Sequence, residues 1–241
     1  MERPWIVVQH VPFESPGLIT EALTERGATV ELCRTYLGDP VPDAAGLATP
    51  TALAGLVVMG GPMSALDDAE FPHLAAERAL LRACVESDVP VLAVCLGAQL
   101  LAAALGARVF TGPEPEIGLG TVSLTEAGRR DPVFGPARQT LPVLHWHGDT
   151  FDLPAGSTLL ASNAAYPHQA YRIGSAYGLQ FHLELGAADL PAIEPHLPAG
   201  VRIDQRHLTL VTRAGRALFD RFAAKPVRAS YSDRPLAESA P

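Results

Sequence analysis

Three short runs without a single polar residue constrain this chain most: Trp5-Ile6-Val7-Val8, Gly55-Leu56-Val57-Val58-Met59 and Val91-Leu92-Ala93-Val94. A strand that does not alternate apolar with polar residues must bury both faces, which is the pattern of a parallel sheet covered by helices. Thr29 to Cys33 reads as a further strand. The segments between have helical spacing. Leu18, Ile19 and Leu23 share a face before Gly27. Phe71, Leu74, Leu81, Cys84 and Val85 form a stripe over Phe71 to Ser87, with Glu77, Arg78, Arg82 and Glu86 largely off it. Leu96 to Leu105 reads as a third helix, stopped by Gly106. Strand and helix in alternation give an α/β fold.

The second half changes character. Gly120 to Thr125, Val143 to Trp146, Thr158 to Ala161, Gln169 to Ile173 and Ala176 to Phe181 read as short strands divided by Gly, Pro and Asn, suited to antiparallel addition at one sheet edge. Arg206 to Ala223 reads as a last helix, and Gly38 to Pro50 as a loop. One domain over 1–224 and a flexible tail over 225–241 are expected. The 241 residues are 48% hydrophobic and 18% charged, enough for a sizeable core. A formal net charge of −8 with no basic run speaks against a nucleic-acid or membrane-surface partner. The N-terminal segment lacks a signal-peptide pattern, and three cysteines without CxxC argue against a disulfide framework or structural zinc. A cytoplasmic protein with free thiols is expected.

The most informative segment is Val94-Cys95-Leu96-Gly97-Ala98-Gln99. A cysteine between a buried strand and a helix, with glycine two residues on, has the layout of a nucleophile elbow. The helix start favours a thiolate, and the Leu96 N–H would face an oxyanion beside the sulfur. A depressed Cys95 pKa is therefore expected, although a plain buried cysteine fits the local pattern too. Gly60-Gly61-Pro62 ends the neighbouring strand, as an ordinary turn or as a second oxyanion donor. His182 and Glu184, two apart, share a face if extended, so His182 suits the base and Glu184 its orienter. Cys33 and Cys84 read as structural. His145-Trp146-His147-Gly148-Asp149 offers two alternating histidines and an acid, but no supporting ligand cluster is evident. A substrate-facing loop is the preferred reading over a metal site.

Together these residues resemble the class I, triad-type glutamine amidotransferase family, and the resemblance runs from Trp5 to Leu185. Its motifs are Gly60-Gly61-Pro62, Cys95-Leu96-Gly97-Ala98-Gln99 and Phe181-His182-Leu183-Glu184. The stretch His145 to Pro154, with Gln169 and Gly178 to His182, is similar to stand-alone members like the amidotransferase domain of GMP synthase. The resemblance implies a flavodoxin-like, open, mostly parallel sheet with helices on both faces. It also implies a catalytic triad of Cys95, His182 and Glu184, and an oxyanion hole at Gly61 and Leu96. Gln99, Gly148 and Asp149 would meet bound glutamine. The implied reaction is hydrolysis of the glutamine side-chain amide through a γ-glutamyl thioester, with no cofactor and no metal, the ammonia going to a separate synthase chain. Ala93 stands where the family usually has Gly, and Leu183 where it often has Pro.

Other readings share part of this. A hydrolase of γ-glutamyl peptides or amines uses identical chemistry with a different leaving group. A non-catalytic binding module of the same fold is a further alternative, opposed by the intact Cys95, His182 and Glu184. A cysteine α/β-hydrolase is disfavoured because that fold places its acid before its histidine, whereas Glu184 follows His182.

Overall fold

The computed structural model describes residues 3–44, 53–135 and 139–224. The expected tail at 225–241 and part of the loop at 38–50 lie outside them. A nine-stranded sheet has the order β2-β1-β3-β4-β9-β8-β7-β5-β6. The parallel half comprises β1 (Trp5–Gln9), β2 (Val30–Arg34), β3 (Gly55–Val58), β4 (Val91–Val94) and β9 (Ala176–Leu179). The strands β1, β3, β4 and β9 are buried throughout, as their apolar runs require. Antiparallel pairing then extends the sheet from β9 through β8 (Ala170–Ile173), β7 (Thr158–Ser162), β5 (Val109–Leu124) and β6 (Thr140–Phe151).

Helices cover both faces, as expected. On one, α1 (Gly17–Thr24) and α6 (Gln205–Ala223) pack Leu18, Ile19, Val211, Leu218, Phe219 and Phe222 against Trp5, Val7 and Val57. On the other, α2 (His73–Glu86) and α3 (Leu96–Ala104) bury Leu74, Leu81, Leu100 and Leu101 against Ile6, Val8, Leu56 and Val58. Two shorter helices, α4 (Glu126–Arg130) and α5 (Leu190–Ile193), also occur among the described residues. Among the described residues no helix is long and apolar enough to cross a membrane.

Three expectations need correcting. β5 and β6 are far longer than the segments read from sequence. Gly112, Pro113, Pro115 and Gly118 look like strand breakers, but pairing with β6 carries the strand past them, with a register shift between Thr111 and Glu116. Short α4 went unread. Its signal is Thr125, whose hydroxyl accepts from the Gly128 N–H at 2.9 Å as an N-cap. Glu77, read as largely off the apolar stripe, is fully buried, because His10 and His73 hydrogen-bond its carboxylate.

Candidate active site

The parallel strands β3, β4 and β9 all end at one edge, where open α/β sheets place their sites. β4 runs into Cys95, which has φ of 50° and ψ of −108° and directly precedes α3. Positive φ is strained for a residue with a side chain, and such strain concentrates at functional sites. The turn is tight because α3 starts almost against β3. A Cβ on Gly97 would lie 2.2 Å from the Val58 carbonyl oxygen, so only glycine fits there. The elbow forms with Ala93, which is fully buried and pairs with Val58 and Gly178.

Beyond β9 the chain continues through Gln180 and Phe181 to His182, which forms an isolated antiparallel bridge with Leu144 of β6. Its Nδ1 lies 2.6 Å from Glu184 Oε1. The other Glu184 oxygen accepts the Leu183 N–H at 2.9 Å, which fixes the carboxylate. Leu183 fills a fully buried site, and its carbonyl sits against α6 so closely that Gly215 has no room for a Cβ. Thus α6 clamps the His-Glu segment from behind, a role that its sequence does not signal.

Burial would lower the His182 pKa, but the Glu184 carboxylate and Cys95 outweigh it and push it well above the usual imidazole range. These surroundings favour the charged ring, which suits His182 to hold the proton that the thiol gives up. Cys95 departs from expectation. Enclosure raises its thiol pKa, and nearby His182 offsets this only in part. The α3 N-terminus is in place, but desolvation of the thiolate is the larger effect. The thiol donates instead to the Trp146 carbonyl at 3.6 Å, and Gln180 Nε2 donates to Sγ at 3.8 Å. Cys33 and Cys84 are buried as expected, their thiols pushed by burial to about 11 and about 12.

Gly61 abuts α3, since a Cβ there would meet Leu96 Cδ2 at 3.0 Å. Leu96 opens α3, so its N–H is one of the first-turn donors that lack an intrahelical acceptor. Gly61 thus adjoins the Leu96 side chain, and Leu96 directly follows Cys95. Gln99 Nε2 donates to the Asp149 carbonyl at 3.1 Å and to Gln180 Oε1 at 3.3 Å, tying α3 to β6. The Asp149 carboxylate accepts from Thr111 Oγ1 at 2.9 Å. Gly148 lies open: a Cβ added there would meet nothing closer than Pro115 Cγ at 4.0 Å.

Two groups were missed. Glu14 is buried beside the triad, its Oε2 without a hydrogen-bond partner, and that oxygen lies against Gly60, 1.9 Å from where a Cβ would stand. Desolvation raises the Glu14 pKa despite nearby His182. Glu116 joins the two histidines of β6. Its Oε2 lies 3.1 Å from His147 Nε2 and 3.6 Å from His145 Nδ1. These three could reach a common cation. However, Asn163 and Gln169 amides already donate to Glu116 at 2.7 and 2.6 Å. The cluster braces β5 against β6 and Gln169. Only the β5–β6 pairing brings Glu116 to them, so spacing carries no signal of it.

Fold and site together define an open-sheet α/β protein with a cysteine elbow and a histidine–carboxylate pair at the carboxyl edge of its sheet. The family described as glutamine amidotransferase class-I matches residues 17–189, and the chain belongs to it. The glutamine amidotransferase-like protein YfeJ of Salmonella typhimurium is 35% identical over 193 residues, covering 78% of this chain and 79% of that protein. The GMP synthase of Thermomicrobium roseum is 34% identical over 140 residues, 58% of this chain but 25% of that protein. The match thus spans about a quarter of that synthase's length. Among solved structures, a glutamine amidotransferase from Thermotoga maritima superposes with a TM-score of 0.79 at 28% identity, covering 93% of this chain and all of that one. One from Methylobacillus flagellatus gives 0.80 at 27% identity, covering 92% and 94%.

Proposed function

We propose that this protein hydrolyses the side-chain amide of glutamine through Cys95 and delivers ammonia to a separate synthase chain. The carrying observation is the 2.6 Å contact of His182 with Glu184 beside a cysteine held at positive φ on the elbow. Sγ attacks the amide carbon while its proton passes to His182. The C=O π electrons move onto oxygen, where the Gly61 and Leu96 N–H groups meet the charge. The tetrahedral intermediate collapses, the C–N bond breaks, and His182 returns the proton to the departing ammonia. Water, deprotonated by the same ring, then cleaves the γ-glutamyl thioester to glutamate and free thiol. Glu184 holds the ring and stabilises its charged form. Gln99, Gly148 and Asp149 line the amino-acid end, and no metal or cofactor takes part.

In the resting geometry the thiol is spent on the Trp146 carbonyl, and substrate must break that contact before Sγ reaches an amide carbon. A partner that shifts the β6 segment would therefore accelerate turnover. Glutamate release from glutamine and from a γ-glutamyl dipeptide, measured beside Cys95→Ala, tests the proposal. Cysteine-dependent release from glutamine supports it, and preference for the dipeptide replaces it with a γ-glutamyl hydrolase. Absence of release from both, with the site saturated by substrate, leaves only a binding module.

A further inference from the structure

The peptide unit joining Gly60 to Gly61 has a second anchor. Its N–H end, on Gly61, is the oxyanion donor proposed above. Its C=O end, on Gly60, points the opposite way because the bond is trans. There His10 Nδ1 lies 2.9 Å from the carbonyl oxygen. The other ring nitrogen of His10 lies 2.8 Å from Glu77 Oε2, and both side chains are wholly buried. Glu77 Oε1 in turn receives His73 Nδ1 at 2.8 Å.

The chemistry of these partners favours a charged ring. A peptide carbonyl only accepts, and a carboxylate engaged on both oxygens by histidine nitrogens only accepts. With Glu77 ionised, both His10 nitrogens donate and the ring is an imidazolium. Burial alone would neutralise it, but the Glu77 hydrogen bond and charge outweigh burial and raise its pKa, with Glu14 adding the same sign. Glu77, which burial alone would push up, is held below the usual carboxylate range by His10 and His73. Packing completes the grip. A Cβ on Gly61 would meet His10 Cβ at 3.0 Å on one side and Leu96 Cδ2 at 3.0 Å on the other.

We propose that His10, charged and anchored by Glu77, is a positioning residue that fixes and polarises the Gly60–Gly61 peptide, aiming the Gly61 N–H at the oxyanion. A charge-assisted hydrogen bond to the carbonyl holds the peptide plane more firmly than a neutral one and drains electron density from its N–H. The contribution falls in the transition state, where the oxyanion exists, and not in ground-state binding. The inference rests on the proposed thiol chemistry.

The test compares His10→Leu, which removes the donor, with His10→Asn, whose amide nitrogen can stand where Nδ1 stood, and with Glu77→Gln. Glutamate release and alkylation of Cys95 by iodoacetamide are measured on each, because alkylation develops no oxyanion. Expected are a fall in kcat of about 10²-fold for His10→Leu with KM within about threefold. His10→Asn should recover at least tenfold of that loss, Glu77→Gln should fall between, and alkylation should change less than threefold throughout. Unchanged kcat in His10→Leu, or a parallel loss of turnover and alkylation, would overturn the proposal in favour of simple packing. Nitrogen NMR decides it without turnover. Both His10 nitrogens should be protonated at neutral pH, and the Gly61 amide resonance should move in His10→Leu and return towards wild type in His10→Asn. A neutral ring or an unmoved Gly61 amide overturns the inference even in a fully active protein. Wild-type protein inactive on both substrates, with these resonances as expected, removes the hydrolase reading while leaving the anchor.

Discussion

Replacing Gly97 by alanine sets two opposing effects against each other at the elbow. In a helix interior the exchange stabilises by up to about 1 kcal/mol. Here the new methyl would stand 2.2 Å from the Val58 carbonyl oxygen, 2.8 Å from its carbon and 3.2 Å from the Met59 oxygen. All three are backbone atoms of the central sheet or its end, so no side chain can swing away. The start of α3 must retreat by about 1 Å to reach ordinary contact, a strain of about 1–3 kcal/mol. The Gly97 N–H bond to the Met59 carbonyl, 3.2 Å long, is stretched in the same movement at a further cost of about 1 kcal/mol. The clash wins, and a net loss of about 1–3 kcal/mol corresponds to a fall in Tm of about 3–10 °C for a chain of this size. The displaced residues are Leu96 and Cys95, so turnover should fall by about 10²-fold, the usual consequence of a misplacement near 1 Å. Calorimetry and glutamate release on the purified variant provide the check. A Gly97→Ala protein that melts with wild type would refute the steric argument, and one that melts early yet turns over at the wild-type rate would refute the link from elbow to chemistry.

Gly148→Ala offers the reverse combination. Its methyl meets nothing closer than Pro115 Cγ at 4.0 Å, so denaturant unfolding should shift by less than about 0.5 kcal/mol. If the backbone there meets the amino-acid end of the substrate, KM for glutamine should rise severalfold with kcat preserved, and an unchanged KM removes Gly148 from the substrate site. Cys95 alkylation should rise with pH through a midpoint above the ordinary thiol value of about 8.5, because burial raises the thiol pKa more than His182 lowers it. A midpoint below that value would show that His182 and the helix start dominate after all.

Much of the site was legible in the chain itself. Cys95, the two glycines at the end of β3 and the His182–Glu184 pair each occupy a local pattern, and local patterns are what a strand-to-helix turn or a two-residue spacing can express. The central strands were legible for a similar reason, since burial of both faces leaves an apolar run with no alternation to misread. The lengths of β5 and β6 were not, because their glycines and prolines signal breaks that only long-range pairing overrides. Glu77 was misplaced by helical periodicity, which knows nothing of the two histidines that make its burial tolerable.

The sequence by itself determined the chemistry available to this protein: a thiol, an imidazole and a carboxylate, in an order and spacing that α/β folding brings to one sheet edge. Tertiary structure decided how those groups behave. It set the thiol pKa upward, since desolvation depends on what encloses the sulfur and not on its neighbours in the chain. It brought Glu14 under Gly60, Glu116 to His145 and His147, and His10 with Glu77 behind the Gly60 carbonyl. Each of those contacts joins side chains from separate elements, and a buried polar group finds its partner only when the elements that carry both have packed.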